Sequence, residues 1–153
     1  MKILLAIDDS QASRSAVDEV CRRPWPAETE VRLLSVPSRI EMMILRENAS
    51  PSMTDKIGKL SDSHSLGFVK DAATILENRA PNLRVMPMLL GGRNANEVIL
   101  REAERWNADL IVVGSHGYGP IRRFLFGSVS AAVALNAKCS VEIVRNNLEK
   151  LSA

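Results

Sequence analysis

Short apolar runs alternate along this chain with segments whose apolar residues recur at helical spacing. Residues 1–7 are almost entirely apolar and end at Asp8, a pattern typical of a strand that is buried on both faces of a sheet. Similar runs at residues 30–36, 83–90, 109–113 and 140–144 predict four further strands. Because fully apolar strands are typical of parallel sheets, we expect the strands to run parallel.

Four segments between these strands show the periodicity of amphipathic helices. The first follows Ser10, a good N-cap residue, and ends before Pro24. The others cover about residues 63–80, 94–107 and 128–136. The residues expected to face the core are Phe68, Ala72, Ile75 and Leu76 in the second helix and Val98, Ile99, Ala103 and Trp106 in the third. Strands alternating with helices predict an α/β fold, a single-domain three-layer sandwich with helices on both faces of the sheet.

Residues 38–60 break this pattern, because Ser, Asn, Pro and Gly are mixed there with an apolar patch at residues 42–45. Loops of this length are usually functional or disordered. The patch has three interpretations: a flap over the sheet edge, a contact with a partner subunit, or a lid over a ligand. No internal repeat or linker divides the chain, so we predict one domain over residues 1–147 and a polar tail at 148–153.

Composition narrows the function without identifying it. The 153 residues are 46% hydrophobic and 25% charged, as in ordinary globular proteins. Twenty basic and eighteen acidic residues are scattered, and aromatic residues make up only 4%, so nucleic acid is not a favoured partner. No apolar run approaches the ~20 residues of a membrane span, and no secretory signal precedes Asp8, so we expect a cytoplasmic location. Cys21 and Cys139 lack the spacing of zinc or redox motifs and are predicted to be small buried residues.

The candidate chemistry lies where strands end, since ligands of open α/β sheets bind outside the carboxyl ends of the strands. The fourth strand leads into Gly114 and Gly117, and nine residues separate Gly117 from Gly127 at the start of a helix. Glycines let backbone N–H groups approach an anion, and a helix N-terminus adds unpaired donors. Ser128 and Ser130 add hydroxyl donors for phosphate, although Ser128 could serve only as a helix cap. Neither a Walker lysine nor the Rossmann glycine pattern is present.

The spacing Gly114-x2-Gly117-x9-Gly127-Ser128 resembles the nucleotide-binding signature of the universal stress protein family. The resemblance covers the whole chain, including residues 3–10, 33–36, 109–117 and 141–144. It implies a Rossmann-like five-stranded parallel sheet in the order 3-2-1-4-5 and membership of the subset that binds ATP. It also implies a homodimer formed through the last strand, at Val141, Ile143 and Val144.

The same resemblance implies roles for individual residues. Asp8 would contact the ribose or a Mg²⁺ ion bound to the phosphates, and Val36 would offer its backbone N–H and C=O to adenine. The remaining residues would surround the base, ribose or phosphates: Ala6, Ile7, Val113, Gly114, His116, Gly117, Gly127, Ser128, Val129 and Ser130. ATP with Mg²⁺ is the implied ligand, and ADP or AMP are alternatives. Ala6 and Ser35 replace the Pro and His of many members without removing a proposed backbone contact.

The implied function is a regulatory module of the stress response that acts on a protein partner through nucleotide-dependent contacts. A phosphoreceiver domain would explain Asp8 and Asp9, but the third strand ends without a phosphorylatable Asp. A slow ATP hydrolase is the second alternative, for which His116, Arg122 and Arg123 are the local candidates. An interaction protein that binds no nucleotide is the third, and the glycine signature argues against it. We expect slow hydrolysis at most and assign no catalytic residue.

Overall fold

The computed structural model describes residues 1–38, 41–43, 64–115 and 127–145. Strands and helices alternate within these ranges, in the order β1 Lys2–Ala6, α1 Gln11–Arg22, β2 Glu30–Ser35, α2 His64–Arg79, β3 Arg84–Leu89, α3 Ala95–Trp106, β4 Leu110–Gly114, α4 Ser128–Asn136 and β5 Ser140–Val144. The strands form one parallel sheet in the order β3-β2-β1-β4-β5. The predicted fold class and strand order are therefore confirmed. The predicted tail at 148–153 lies outside the described ranges.

The apolar sequence of β1 is explained by burial on both of its faces. Ile3 and Leu5 pack with residues of α1 and α2, whereas Leu4 and Ala6 pack with residues of α3 and α4. Each fully buried aliphatic side chain contributes about 1.5–3 kcal/mol to folding. The sheet is therefore the middle layer of three, as the alternation of strands and helices predicts.

Strand order reverses at β1, and ligands of open α/β sheets bind at such a point, so the candidate site is expected at the end of this strand. Ala6 of β1 lies in register with Leu34 of β2 on one side and with Val113 of β4 on the other. Helices α1 and α2 cover one face of the sheet, and α3 and α4 cover the other. Helices α1 and α4, which come after β1 and β4 in the chain, therefore lie on opposite faces, and in open α/β sheets ligands bind at the carboxyl ends of strands related in this way.

Two helices bury residues that periodicity did not indicate. In α2 the buried stripe consists of Val69, Ala72, Ala73 and Leu76, at the i, i+3, i+4 and i+7 positions of one face. Ile75 lies off that stripe and is 40% exposed, so its predicted place in the core is wrong. In α3 the four predicted core residues are buried, and Glu102 is buried with them.

The two cysteines also differ from expectation. Cys21 and Cys139 are free thiols, and each is only half-buried. Burial nevertheless raises the pKa of both thiols, which reduces their reactivity. No helix in the described part of the chain combines the length and the apolar character that a membrane span requires.

Candidate functional site

The carboxylate of Asp8 follows β1 and is fixed by the first turn of α1. Its Oδ1 atom accepts hydrogen bonds from the Ser10 backbone N–H at 3.1 Å and from the Ser13 hydroxyl at 2.6 Å. Ser13 Oγ accepts in turn from the Asp8 backbone N–H at 2.9 Å, and Ser10 caps α1 as predicted. Oδ2 of Asp8 has no hydrogen bond within the described ranges. Asp8 is thus held rigidly with one oxygen left for a cation or a ligand hydroxyl.

Gly114 lies where β4 meets the start of α1. A Cβ atom at this position would lie 2.7 Å from the backbone carbon of Ala12, 2.8 Å from its Cβ and 2.9 Å from the nitrogen of Ser13. Such distances are well inside van der Waals contact, so only glycine permits this approach. Gly114 therefore has a packing role that the sequence did not reveal, in addition to its predicted place beside the ribose.

The two glycine clusters of the signature are brought together by Ser115. The Ser115 carbonyl accepts hydrogen bonds from the backbone N–H of Gly127 at 2.5 Å and from the Ser130 hydroxyl at 3.2 Å. Ser130 also donates to the Gly127 carbonyl at 3.0 Å. These bonds fasten the start of α4 to the end of β4, so residues separated by more than ten positions in sequence become neighbours. Because Ser130 is buried and donates to carbonyls, its predicted contact with phosphate remains a prediction.

The N-terminus of α4 presents backbone donors at this edge. Gly127 occupies the N-cap position without a side-chain cap, and the first helical hydrogen bond runs from the Ala131 N–H to the Gly127 carbonyl at 2.9 Å. The N–H groups of Ser128, Val129 and Ser130 have no acceptor among the residues that the structure describes. Ser128 is exposed and does not cap the helix. Three backbone donors and the positive end of a helix dipole thus suit an anion.

Val36 lies immediately beyond the hydrogen-bonded part of β2. The ladder ends with bonds from Ile7 N–H to the Leu34 carbonyl at 2.9 Å and from Leu90 N–H to the Ser35 carbonyl at 3.1 Å. The N–H and C=O of Val36 make no hydrogen bond inside the described ranges. An adenine edge offers both a donor and an acceptor, so this peptide is suited to the role that the family resemblance implies for it.

The other predicted residues fall into two groups. Ala6, Ile7 and Val113 are 8%, 7% and 3% exposed, and their side chains belong to the cores beneath this edge. His116 and Gly117 lie outside the described residues, as do Arg122 and Arg123. Among the described residues no three His, Cys, Asp or Glu side chains converge as metal ligands, so Asp8 is the single predicted metal contact that can be placed.

The predicted dimer surface lies at the β5 edge of the sheet. Within the described sheet β5 pairs with β4 alone, and its Val141 and Ile143 are half-buried while Val144 is buried in the core. Neighbouring α4 is apolar around most of its circumference, yet Leu135 is 85% exposed. Exposed apolar groups beside an unpaired edge are typical of a surface that associates with another chain.

A separate cavity of about 420 Å³ lies at the opposite, amino end of the strands, between the end of α3 and the segment that joins α4 to β5. An ion pair between Glu104 and Lys138, 3.2 Å apart, is part of its wall. Its lining residues are Leu100, Ala103, Glu104, Asn107, Ala108, Asp109, Ile111, Ala137, Lys138 and Cys139. None of the predicted ligand-binding residues contributes to this cavity.

Two residues of the carboxyl edge were missed by the sequence reasoning. Ser13 holds Asp8, and the signal was the arrangement Asp8-x-Ser10-x2-Ser13 around a predicted cap. Glu41 lies in the segment where no periodicity held, yet Ser38-x2-Glu41 is a capping-box pattern. The structure confirms that box: Ser38 N–H donates to Glu41 Oε2 at 2.9 Å, and Glu41 N–H donates to Ser38 Oγ at 3.2 Å.

Comparison with known proteins agrees with the fold. The universal stress protein family matches residues 1–145 of the chain. Universal stress protein A homolog 2 of Coxiella burnetii is 51% identical over 51 residues, which cover 33% of this chain and 34% of that protein. Universal stress protein MJ0531 of Methanocaldococcus jannaschii is 28% identical over 144 residues, which cover 94% of this chain and 81% of that protein.

Solved structures share the architecture at low sequence identity. Hypothetical protein MJ0577 has a TM-score of 0.71 at 24% identity, with 94% of each chain covered. A universal stress protein family protein from Arabidopsis thaliana, solved with AMP bound, has a TM-score of 0.66 at 19% identity and covers 98% of this chain and 94% of its own. A universal stress protein in complex with cAMP has a TM-score of 0.61 at 22% identity, covering 95% and 97%. At these identities the likeness establishes the fold.

Proposed function

The chain belongs to the universal stress protein family, and from that membership we propose that it binds an adenine nucleotide, with ATP as the preferred ligand. The proposed site lies at the carboxyl ends of β1 and β4. The observation that carries the proposal is the N-terminus of α4, where the N–H groups of Ser128, Val129 and Ser130 have no acceptor among the described residues. Hydrogen bonds to Ser115 hold these donors beside the end of β4.

The remaining groups suit the other parts of the nucleotide. The Val36 peptide offers one donor and one acceptor for the base, and Asp8 offers an oxygen for the ribose or for Mg²⁺ at the phosphates. Two proteins of the same fold were solved with AMP or cAMP, which supports an adenine ligand. Backbone donors hold phosphate in the ground state and the transition state alike, so the proposed activity is binding rather than rapid turnover.

A substitution at Ser128 tests the phosphate site without weakening the helix. Ser128→Asp places a carboxylate at the first turn of α4, where it repels phosphates but favours the helix through the dipole. We expect calorimetry to show ATP binding by the parent protein in the micromolar range and a loss of at least about tenfold in Ser128→Asp. Ser128→Asn, which has the same shape without the charge, should stay close to the parent. Equal ATP affinity in Ser128→Asp and Ser128→Asn would contradict this site.

The proposed biological role is a dimeric regulatory module of the stress response. A second copy pairing along β5 would cover the apolar groups of Val141 and Ile143 and the adjacent Leu135. Light scattering at tens of micromolar should then report twice the 16.8 kDa of one chain. A 16.8 kDa species at that concentration, with ATP present, would count against the dimer.

A further inference from the structure

One carboxylate, that of Glu41, caps two structural elements at the carboxyl edge. Its Oε2 atom completes the capping box with Ser38, just beyond the end of β2. Its Oε1 atom accepts hydrogen bonds from the Ser65 hydroxyl at 2.6 Å and the Ser65 backbone N–H at 3.2 Å, at the start of α2. Ser38 and Ser65 are 27 positions apart in the sequence, and this side chain joins them.

The helix that Glu41 reaches is firmly anchored. Val69 and Leu76 of α2 are buried in the core, and Ser65 is buried at the helix start. Helix α2 has no acidic residue of its own in its first turn, so Glu41 supplies from outside the negative charge and the acceptor that a helix N-terminus favours. The capping box is thereby attached to a helix that is itself anchored in the core.

The segment that leaves β2, residues 36–38, depends on the bonds to Glu41 because few other hydrogen bonds hold it. Ser35 makes the last ladder contact, and Val36 has no hydrogen bond within the described ranges. Pro37 fixes its own φ angle and favours an extended Val36, but it has no N–H to donate. Ser38 is the next residue held by hydrogen bonds: its N–H and its hydroxyl bond to Glu41, and its carbonyl accepts from the Met42 N–H at 3.0 Å. The Val36 peptide is therefore held through Ser35 on one side and, beyond Pro37, through Ser38 on the other, where Glu41 supplies two of the three hydrogen bonds.

A packing contact places the same segment against β3. A Cβ atom at Gly91 would lie 3.0 Å from the terminal methyl carbon of Met42, so Met42 already occupies the space above the end of that strand. Burial alone would raise the pKa of Glu41, but the hydrogen bonds from Ser65 and Ser38 lower it below its ordinary value. Glu41 is consequently ionised at neutral pH, the state that accepts all three of these side-chain bonds.

From these contacts we propose that Glu41 is a positioning residue for base recognition: it fixes the Val36 peptide so that its N–H and C=O select adenine over guanine. This inference rests on the proposed nucleotide function and names the structural origin of its base specificity. Glu41 itself need not touch the ligand.

The test combines amide hydrogen exchange in nucleotide-free protein with calorimetry of ATP and GTP. Glu41→Ala should accelerate exchange at Ser38 and Ser65 and at Leu90, whose N–H bonds the Ser35 carbonyl. It should also reduce the ratio of ATP to GTP affinity about tenfold, the effect expected from losing hydrogen bonds to a charged group. Glu41→Gln keeps one oxygen acceptor and should restore part of this ratio. Ser65→Ala, a milder change, should shift the ratio in the same direction as Glu41→Ala.

Glu97 provides a matched control at the start of α3. Asn94 and Glu97 have the same spacing as Ser38 and Glu41, and Asn94 Nδ2 donates to Glu97 Oε1 at 2.7 Å. Glu97 is exposed, and its hydrogen bond with Asn94 stays within its own helix terminus. Glu97→Ala should leave both the exchange rates at Ser38 and Leu90 and the ATP to GTP ratio unchanged.

The possible outcomes separate this inference from the function on which it rests. If the parent binds ATP and both Glu41→Ala and Ser65→Ala keep its ATP to GTP ratio, the positioning role is overturned while the nucleotide function stands. Unchanged exchange at Ser38 in Glu41→Ala overturns it as well. If the parent binds no adenine nucleotide, the proposed function fails, and base positioning fails with it even where exchange is accelerated.

Discussion

The two ends of β1 and β4 differ in how their polar groups are satisfied. At the amino end the Lys2 backbone N–H donates to Asp109 Oδ2 at 2.7 Å, the Asp109 N–H donates to the Lys2 carbonyl at 2.9 Å, and Lys2 Nζ donates to the Trp106 carbonyl at 3.2 Å. At the carboxyl end the N–H and C=O of Val36 and the first N–H groups of α4 make no hydrogen bond in the described part of the chain. Polar groups at the amino end are bonded within the protein, whereas several at the carboxyl end have no partner among the described residues.

A buried charge cluster makes the contrast sharper. Glu102 is 3% exposed and accepts hydrogen bonds from Arg105 Nε and Nη2, both at 2.9 Å, and from the Arg32 guanidinium. The Arg32 guanidinium also lies 4.3 Å from the centroid of the Trp106 ring, which stacks against it. These contacts join α3 to β2, so charge at the amino end serves the fold. Substitutions at the two ends should therefore have different consequences.

The largest effect is expected at Gly114, where an added side chain would meet the backbone of α1. Gly114→Ala forces a methyl group against the backbone of Ala12 and Ser13, which cannot move without shifting α1. We expect a loss of about 2–3 kcal/mol in the free energy of unfolding, measured with urea. Because α1 holds Asp8 through Ser13, ATP affinity should fall as well.

Gly91→Ala is the control for this prediction. The atoms nearest to its added Cβ belong to the flexible side chain of Met42, so we expect a loss below about 1 kcal/mol. If Gly114→Ala were as stable as Gly91→Ala, the packing role of Gly114 would be refuted. Contact with the ligand would then be the remaining reason for a glycine at position 114.

A smaller effect, specific to the amino end, is expected when the pH is lowered. The hydrogen bonds from Arg105, with a further contribution from Arg32, lower the pKa of Glu102 below its ordinary value of 4.5. The unfolded chain therefore binds this proton first as the pH falls. The contribution of Glu102 to stability is complete above pH 4.5 and is lost as the pH falls through the lower folded-state pKa, with a slope of at most about 1.4 kcal/mol per pH unit.

Glu102→Gln isolates this contribution. The variant leaves the half-buried Arg32 cation without its counter-charge, and we expect it to be about 1–2 kcal/mol less stable than the parent at pH 7. Urea unfolding between pH 7 and pH 3 should show the difference shrinking below pH 4.5. A difference that stays constant over this range would mean that Glu102 acts through shape and not through charge.

The sequence predicts the elements of this fold better than it predicts the polar contacts. Apolar runs located all five strands, and Ser10 and Pro24 marked the ends of α1 to within two residues. The strand order came only from the family resemblance, because pairing between distant strands leaves no local pattern. The pairing of Glu102 with Arg32 was missed because the two residues are 70 positions apart. Ser13 and Glu41 had local signals, but the bond from Glu41 to Ser65 depends on how α2 is placed.

The smallest effect is expected at Ser130, which lies at the carboxyl end but is hydrogen-bonded within the protein like the groups of the amino end. Its buried hydroxyl donates to the Gly127 and Ser115 carbonyls, so it is satisfied within the protein although it lies at the carboxyl end. Ser130→Ala should lower the free energy of unfolding by about 1 kcal/mol, since the bond from Gly127 N–H to the Ser115 carbonyl still closes the loop.

Binding by Ser130→Ala then decides which role the hydroxyl has. A hydroxyl that only fastens α4 to β4 leaves the backbone donors in place, so ATP affinity measured by calorimetry should change less than about threefold. Ser128→Ala, which removes an exposed hydroxyl from the same turn, is the matched control. If Ser130→Ala loses far more ATP affinity than Ser128→Ala while keeping its stability, the hydroxyl must turn from the carbonyls to the phosphates. Ser130 would then belong to the ligand site, as the sequence resemblance implies.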